Sequence, residues 1–397
     1  MSARTAGWRF ALSYQTALVQ ASWTAVRLMV GYRALALGAD ALVIGALATA
    51  FALPALFAAL PTGRWSDRSG GPVVAVAGLV TATIGTAMAF LLPGLWLLLA
   101  AAGVIGLGQI MIMIGQQTFV AHASAGGDSD RAFGTLTSAA SVGQLIGPPV
   151  VTAVASLAMF HGRDAPNATV GLVLCAALLA ASMPAYLPLR RCDRELERPA
   201  ARAADPERVS DLIRAPQMWR SLTVSGAVLV SLDLMYAFVP VWATDRGIDA
   251  TVVGALLALR AAVTVVSRVG LPRMVRRFGR RLLITASIGA AFAGLLAFPF
   301  VGTGGAVLVM VALGIGLGIP QPLTMSWVTS LTRAESHGTA LGMRLTSNRV
   351  AQICVPLAIG ALAGPFGVVG IFWANAAVLL GAMGVMATTR SPDPGAA

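Results

Sequence analysis

The sequence predicts an all-α membrane protein of twelve transmembrane helices, arranged as two pseudo-symmetric six-helix bundles. Three observations predict it: an apolar composition, a succession of helix-length apolar runs, and an internal repeat. Of 397 residues, 57% are hydrophobic and 11% charged, with a mean hydropathy of +0.79, whereas soluble domains carry roughly 25% charged residues. A helix needs about 20 mainly apolar residues to cross ~30 Å of hydrocarbon. Hydropathy places such runs near 10–32, 42–61, 73–93, 96–120, 135–157 and 169–188, and again near 220–242, 252–272, 282–301, 306–328, 340–362 and 368–387. The expected organisation is an N-terminal bundle over 1–188, a cytoplasmic linker over 189–216 and a C-terminal bundle over 217–397.

The formal charge of +12 would point to nucleic acid in a soluble chain. Its distribution argues against that. All 28 basic residues are arginine, and with the N-terminus inside, the interior segments hold 21 of them: Arg4, Arg9, Arg64, Arg68, Arg131, the eight from Arg190 to Arg220, the six from Arg268 to Arg281, Arg333 and Arg390. Exterior loops hold only Arg33, Arg163 and Arg246. By the positive-inside rule both termini face the cytoplasm, in the inner membrane of a cell, and the partner is the lipid bilayer rather than nucleic acid. The linker mixes arginine with acids and prolines and reads as a solvated connection, with room for a short surface helix.

The chain has no lysine and hence no P-loop of the G-x-x-x-x-G-K-[ST] type. Cys175, Cys192 and Cys354 form no CxxC pair, His122, His161 and His337 lie far apart, and no hydrolase motif occurs. No enzyme, cofactor or metal is expected. Asn167-Ala168-Thr169 matches a glycosylation acceptor in an exterior loop.

The repeat is the most specific feature of the organisation. Gly38-Ala-Asp40-Ala-Leu-Val43-Ile-Gly45-Ala-Leu47 recurs as Gly247-Ile-Asp249-Ala-Thr-Val252-Val-Gly254-Ala-Leu256, 209 positions on (38 to 247). Gly106-Leu-Gly108 is matched to Gly316-Leu-Gly318 at 210, Gly70 to Gly279 at 209 and Pro148 to Pro356 at 208. Parallel six-helix repeats are the architecture of one large class of secondary transporters, in which the two halves rock about a bound solute. The duplication therefore implies transport of a small molecule.

The first interior loop reads Gly63-Arg64-Trp65-Ser66-Asp67-Arg68-Ser69-Gly70-Gly71-Pro72. It resembles the G-x-x-x-D-R-x-G-R-R loop between the second and third helices of the major facilitator superfamily, with Gly71 and Pro72 in place of the final basic pair. The second half carries Arg276-Arg277-Phe-Gly279-Arg280-Arg281, with Arg276 where the acid would stand. The resemblance implies a conformational latch formed by Gly63, Asp67, Arg68 and Gly70. Physically, Asp67 at an interior helix end can accept hydrogen bonds from an arginine or from exposed amides of a facing helix, with its partner expected in the second half. In the fifth span, Gly143-Gln-Leu-Ile-Gly147-Pro148-Pro149 resembles the G-x-x-x-G-P-x-x-G-G motif of drug:proton antiporters in the same superfamily, with Val151 and Thr152 replacing the trailing glycines. The same Gly143, Gly147 and Pro148 also suit plain helix packing and a kink.

Ionisable residues inside a span are costly and mark a pathway or a pair. Arg27 and Arg344 lie near span ends, where their side chains are expected to snorkel to an interface. Asp233, Arg260 and Arg349 fall about 18, 18 and 14 Å above the inner face at 1.5 Å per residue, near the midplane of the seventh, eighth and eleventh spans. Two readings follow. In one, Asp233 carries a coupling proton and Arg260 or Arg349 binds substrate. In the other, the three form a fixed structural cluster. Gln20, Trp23, Gln109, Tyr236 and Gln321 are further candidates for a substrate-binding lining, as amides and aromatics around an apolar cavity suit a modest organic molecule.

The expected function is secondary active transport of small organic solutes, proton-coupled, leaning to efflux of amphipathic compounds by antiport, by a protein working as a monomer. Uptake or exchange of an organic anion is the alternative within transport. A lipid flippase or a non-transporting membrane sensor is the alternative outside it.

Overall fold

The computed structural model describes residues 4–39, 41–124, 129–157, 167–195, 209–215, 217–244, 246–248, 250–363 and 367–388. Among them there is no β-strand. The helices are α1 (Arg4–Ala36), α2 (Ala41–Ser69), α3 (Gly71–Leu91), α4 (Leu95–Ala123), α5 (Ser129–Leu157), α6 (Ala168–Ser182), α7 (Tyr186–Glu195), α8 (Val209–Arg214), α9 (Met218–Thr244), α10 (Ala250–Val269), α11 (Leu271–Phe278), α12 (Arg280–Ala297), α13 (Thr303–Gly318), α14 (Pro320–Ser330), α15 (His337–Ala363) and α16 (Gly367–Ala387).

Among the described residues, eight helical stretches are long and apolar enough to cross a membrane: Gly71–Leu91, Leu95–Ala123, Ser129–Leu157, Ala168–Glu195, Val252–Val269, Arg280–Phe300, Thr303–Ser330 and Val369–Ala387. The remaining spans expected from the sequence coincide with α1, α2, α9 and α15, which are 33, 29, 27 and 27 residues long. These four carry Gln20, Asp67, Asp233, Arg344, Arg349 and Gln352, discussed below. Large apolar side chains such as Phe10, Phe57, Trp96, Val266 and Leu308 point outward and are exposed. Such a surface suits hydrocarbon, where every backbone group is satisfied within the helices.

The chain forms two compact units. One comprises Met1–Gly126, Ala139–Pro206 and Ala334–Thr346, and the other Gly127–Ser138, Glu207–Arg333 and Ser347–Ala397. Two helices change unit along their length: α5 starts in the second and ends in the first, and α15 does the reverse.

Lipid tails give helices no hydrophobic reason to associate, so close packing of small residues carries much of the cohesion. In the first unit, α3 and α4 meet back to back: a Cβ on Gly71 would lie 2.3 Å from the Gly115 carbonyl oxygen, and one on Gly78 2.6 Å from that of Gly108. In the second, α10, α12, α13 and α16 enclose a core that includes Trp242, Phe298 and Phe372, with ring centroids 4.5 and 4.8 Å apart.

The backbone sharpens the repeat. Gly38 and Gly247 both have positive φ, 81° and 64°, as do Gly70 and Gly279, 91° and 76°, so each matched pair marks the same left-handed turn, which costs glycine nothing. The tenth span needs a correction. Gly106 packs on the Phe51 carbonyl and Gly108 on Gly78 and Ala82, whereas Gly314 packs on the Arg260 carbonyl and Gly316 on Ser287 and Ala291. The structural equivalents are therefore Gly106 with Gly314 and Gly108 with Gly316, an offset of 208 rather than 210. The letters Gly-Leu-Gly coincide two residues out of register.

Asn167 has a local role: its side-chain oxygen accepts from the Thr169 and Val170 amides at 3.1 and 3.3 Å, capping the start of α6.

Candidate functional site

The middle residues of the two 27-residue helices α9 and α15 are Ser231 and Val350. The helices approach closely where Gly226 faces Ala351, with a Cβ on Gly226 only 3.2 Å from that of Ala351. Val230 and Leu234 continue the seam against Ile359 and Val355. On this seam, within two residues of the helix midpoints, stand Asp233, Arg349 and Gln352. Arg349 Nη1 donates to Gln352 Oε1 at 2.9 Å, and Gln352 Nε2 donates to Asp233 Oδ2. A guanidinium only donates, so the amide must show Arg349 its oxygen, which turns its nitrogen to the carboxylate. Asp233 is exposed and the other two are half-buried. Opposite charges bridged by one amide thus sit halfway along two long helices.

The first half carries a neutral counterpart. There α5 packs on α1 through Gly143 and Gly147, where added Cβ atoms would lie 2.1 Å from the Ala17 carbonyl oxygen and 2.3 Å from that of Ala21. Next to Gly143, Gln144 Nε2 donates to Gln20 Oε1 at 3.1 Å. Under the repeat Gln144 corresponds to Gln352 (offset 208), Ser141 to Arg349 (208), Ala17 to Gly226 and Thr24 to Asp233 (both 209). The second half therefore places an acid and a base where the first has two hydroxyl residues, around an amide common to both. Pro148 lies inside α5, which remains one helix through it.

Arg260 is 5% exposed on α10, its carbonyl pressed against Gly314 of α13. Further along the same face, Arg268 is also 5% exposed. Its Nε donates to the Gly318 carbonyl at 3.0 Å, Nη1 to that of Thr137 at 2.8 Å and Nη2 to Gln321 Oε1 at 2.8 Å. The reason lies in the α13–α14 break. Pro322 has no N–H to give the carbonyl four residues earlier, Gly318, and Arg268 supplies that hydrogen bond from the side. Sequence reasoning counted Arg268 among loop arginines and missed this role; Pro322 was the available signal.

The other candidates are placed as follows. Trp23 lies edge-on to Phe51 at 5.7 Å, with Arg27 over its ring at 5.6 Å. Gln109 is buried on α4. The side chain of Tyr236 lies outside the described residues. Arg344 corrects the snorkelling expectation: it is 3% exposed. The start of α15 belongs to the first unit, where Leu345 packs with Ala55, Ala59, Ile110 and Ile114, and this cover closes off the route to an interface.

The interior end of α2 meets the start of α15. The first turn of a helix leaves its amides without intrahelical acceptors. Asp67 fills that need: Gly338 N donates to Oδ1 at 2.6 Å, and Thr339 N and Oγ1 donate to Oδ2 at 2.8 and 2.6 Å. One turn earlier, Gly63 is pressed against Gly338, where a Cβ would lie 2.3 Å from the Gly338 carbonyl oxygen. The spacing Gly63-x-x-x-Asp67 therefore combines close approach with capping on one helix face. Burial pushes the Asp67 carboxyl up to about 6, against the three hydrogen bonds that pull it down, with Glu335 adding to the rise. Arg68 is exposed, and Gly70 makes the turn into α3. Beside this contact the His122 and His337 rings stack at 5.5 Å, and His122 Nε2 lies 2.7 Å from the Ala334 carbonyl oxygen.

In the second half the polarity is reversed. Arg276 stands where Asp67 does (offset 209), and the start of α5 is held by Arg280, whose Nη2 lies 3.2 Å from Asp130 Oδ2 and donates to Ser326 Oγ at 3.2 Å. Asp130 corresponds to Thr339 (209). Among the described residues no group of three or more His, Cys, Asp or Glu side chains is placed to hold a metal ion.

Comparison with known proteins agrees with this architecture. An uncharacterized MFS-type transporter of Mycobacterium tuberculosis, Rv1250, is 31% identical over 151 residues, 38% of this chain. That match spans 24% of the relative's length. The Escherichia coli fucose:proton symporter FucP superposes with a TM-score of 0.74 at 13% identity, covering 96% of this chain and 97% of that one. A bacterial homologue of the iron transporter ferroportin, in an outward-facing state with soaked iron, gives 0.74 at 15% identity over 96% and 98%. At such identities the likeness is one of fold. The sequence itself matches the Major Facilitator Superfamily across residues 12–353, and the chain belongs to that family of multi-pass membrane transporters.

Proposed function

We propose that this transporter is proton-coupled and moves small organic solutes, with Asp233 as the group that takes up and releases the proton. The observation that supports it most is the Asp233–Gln352–Arg349 arrangement. A carboxyl that is accessible yet set at the middle of a long helix can take up a proton from water, and its ionised form is balanced by a cation one amide away. Gly63, Asp67, Arg68 and Gly70 act as a latch on the start of α15. The protein sits in the cytoplasmic membrane with both termini inside, works as a monomer, and derives from duplication of a unit spanning 1–188 and 217–397 about the 189–216 linker.

The lean to efflux of amphipathic compounds by antiport rests on the α5 motif, and packing against Ala17 and Ala21 accounts for both of its glycines. A second reading, movement of an organic anion, is favoured by the arginines: Arg349 on the seam and Arg260 buried on α10. The test is flux in proteoliposomes of a carboxylate panel against a cationic dye panel, with and without a pH gradient. Gradient-driven flux that Asp233→Asn abolishes supports the reading. Unchanged gradient-driven flux in that variant refutes it.

A further inference from the structure

We propose that Gln352 is the positioning residue that couples protonation of Asp233 to the availability of Arg349, so that a proton and an organic anion move together. The inference rests on the reading of Asp233 as proton carrier and deepens it by naming the substrate class.

The amide has a fixed polarity. Its oxygen faces Arg349 Nη1 at 2.9 Å and its nitrogen faces Asp233 Oδ2. With Asp233 ionised, each end of the amide meets a full charge of the matching sign, and the two hydrogen bonds polarise one another. A proton from water adding to Asp233 removes the anion at one end. The hold on Gln352 weakens, the Arg349 Nη1 hydrogen bond weakens with it, and the guanidinium turns to the carboxylate of a solute, which it can take in bidentate fashion.

Charge explains why the two ligands travel together. Asp233 as carboxylate and Arg349 as guanidinium sum to zero. Asp233 protonated, Arg349 and a bound anion also sum to zero. A proton alone leaves +1 near the middle of two spanning helices, and an anion alone leaves −1, and both are costly there. The filled and empty sites are thus electrically alike, and the half-filled ones are disfavoured.

The repeat supports a dedicated role for the amide. Gln144, the counterpart of Gln352, reaches from α5 to the neutral Gln20 of α1 at 3.1 Å. The first half thus keeps the bridging glutamine between helices without the charges. In the second half the same bridge has an acid at one end and a base at the other.

The test uses the full-length protein in proteoliposomes, with labelled aromatic and aliphatic monocarboxylates as probes and matched neutral amides and cationic amines as controls. In the wild type an inward proton gradient is expected to accumulate carboxylates, and carboxylate affinity rises by about tenfold or more on acidification, within the usual range of coupling between two ligands. Gln352→Met keeps the bulk and loses both hydrogen bonds. It is expected to retain carboxylate exchange while its affinity changes less than about twofold over the same pH range. A thermal melt and the exchange activity report that the variant is folded. Gln352→Met with the full wild-type pH dependence overturns the relay, provided that Asp233→Asn has abolished gradient-driven uptake. If Asp233→Asn leaves that uptake intact, the proton-carrier reading itself fails. Movement of the amines in exchange for protons, with the carboxylates inert, overturns the anion assignment.

Discussion

Substituting Asp67 by alanine removes the acceptor of three donors at the start of α15: the Gly338 and Thr339 amides, at 2.6 and 2.8 Å, and the Thr339 hydroxyl, at 2.6 Å. A buried donor left unpaired costs about 1–3 kcal/mol. The hydroxyl can turn elsewhere, so the two amides set the loss at about 2–6 kcal/mol, reduced by relief of the carboxylate's own burial. Hydrogen–deuterium exchange at Gly338 and Thr339 reads this directly, since every 1.4 kcal/mol is about tenfold in protection. Protection is expected to fall by about tenfold to a hundredfold in Asp67→Ala. The pH dependence has a definite sign. The contact holds the Asp67 proton more tightly, at about 6, than a fully hydrated aspartate does at 3.8. Acidification from pH 7 toward 4 therefore strengthens the contact, by up to about 3 kcal/mol, and that contribution is lost as the pH rises through about 6. After correction for the intrinsic exchange rate, wild-type protection should rise over this window and Asp67→Ala should stay flat. Equal protection in the two proteins would refute the capping argument, and wild-type protection that falls on acidification would refute the dominance of burial over the three hydrogen bonds.

Other substitutions separate packing from polar roles. Gly143→Ala places a methyl 2.1 Å from the Ala17 carbonyl oxygen, whereas Gly226→Ala meets only the Ala351 methyl at 3.2 Å; thermal melts in detergent should show a large loss for the first and a small one for the second. Arg268→Met strands the Gly318 and Thr137 carbonyls and should cost about 2–5 kcal/mol, with Arg268→Lys restoring part of it; equal melting of Met and wild type would show that water replaces the guanidinium. Asp130→Asn leaves Arg280 without its carboxylate in a mostly buried pair and should cost about 1–3 kcal/mol. Unchanged unfolding of Asp130→Asn would assign the hold on α5 to apolar packing.

Much of the fold was legible because lipid imposes helices of fixed length, and a duplicated sequence repeats its turns at Gly38 and Gly247 and at Gly70 and Gly279. The register of the repeat in the tenth span was less so. Identical letters matched Gly106 to Gly316, while the packing surface of each glycine, absent from a one-dimensional string, matches Gly106 to Gly314. Asp67 was legible as an acceptor with a partner in the second half, and the acceptor-poor amides of Gly338 and Thr339 lie there. Arg268 was counted with the interior segments and Arg344 was placed by its nearness to a span end, and neither reading carries cover: Arg268 bonds a carbonyl that Pro322 cannot, and Arg344 is enclosed by the first unit. The link from Asp233 to Arg349 was legible in part. Depth grouped both with Arg260, but that Gln352 joins Asp233 to Arg349 follows only from the α9–α15 contact at Gly226.

The central claim is that Asp233 carries a proton with the solute. It is tested most directly by loading proteoliposomes with a pH-sensitive dye and adding solute outside, with no imposed gradient. The wild type is expected to acidify the lumen as solute enters, and Asp233→Asn to pass solute in exchange without any change of luminal pH. Solute entry through the wild type with the luminal pH unchanged, or an equal pH change in Asp233→Asn, would contradict it.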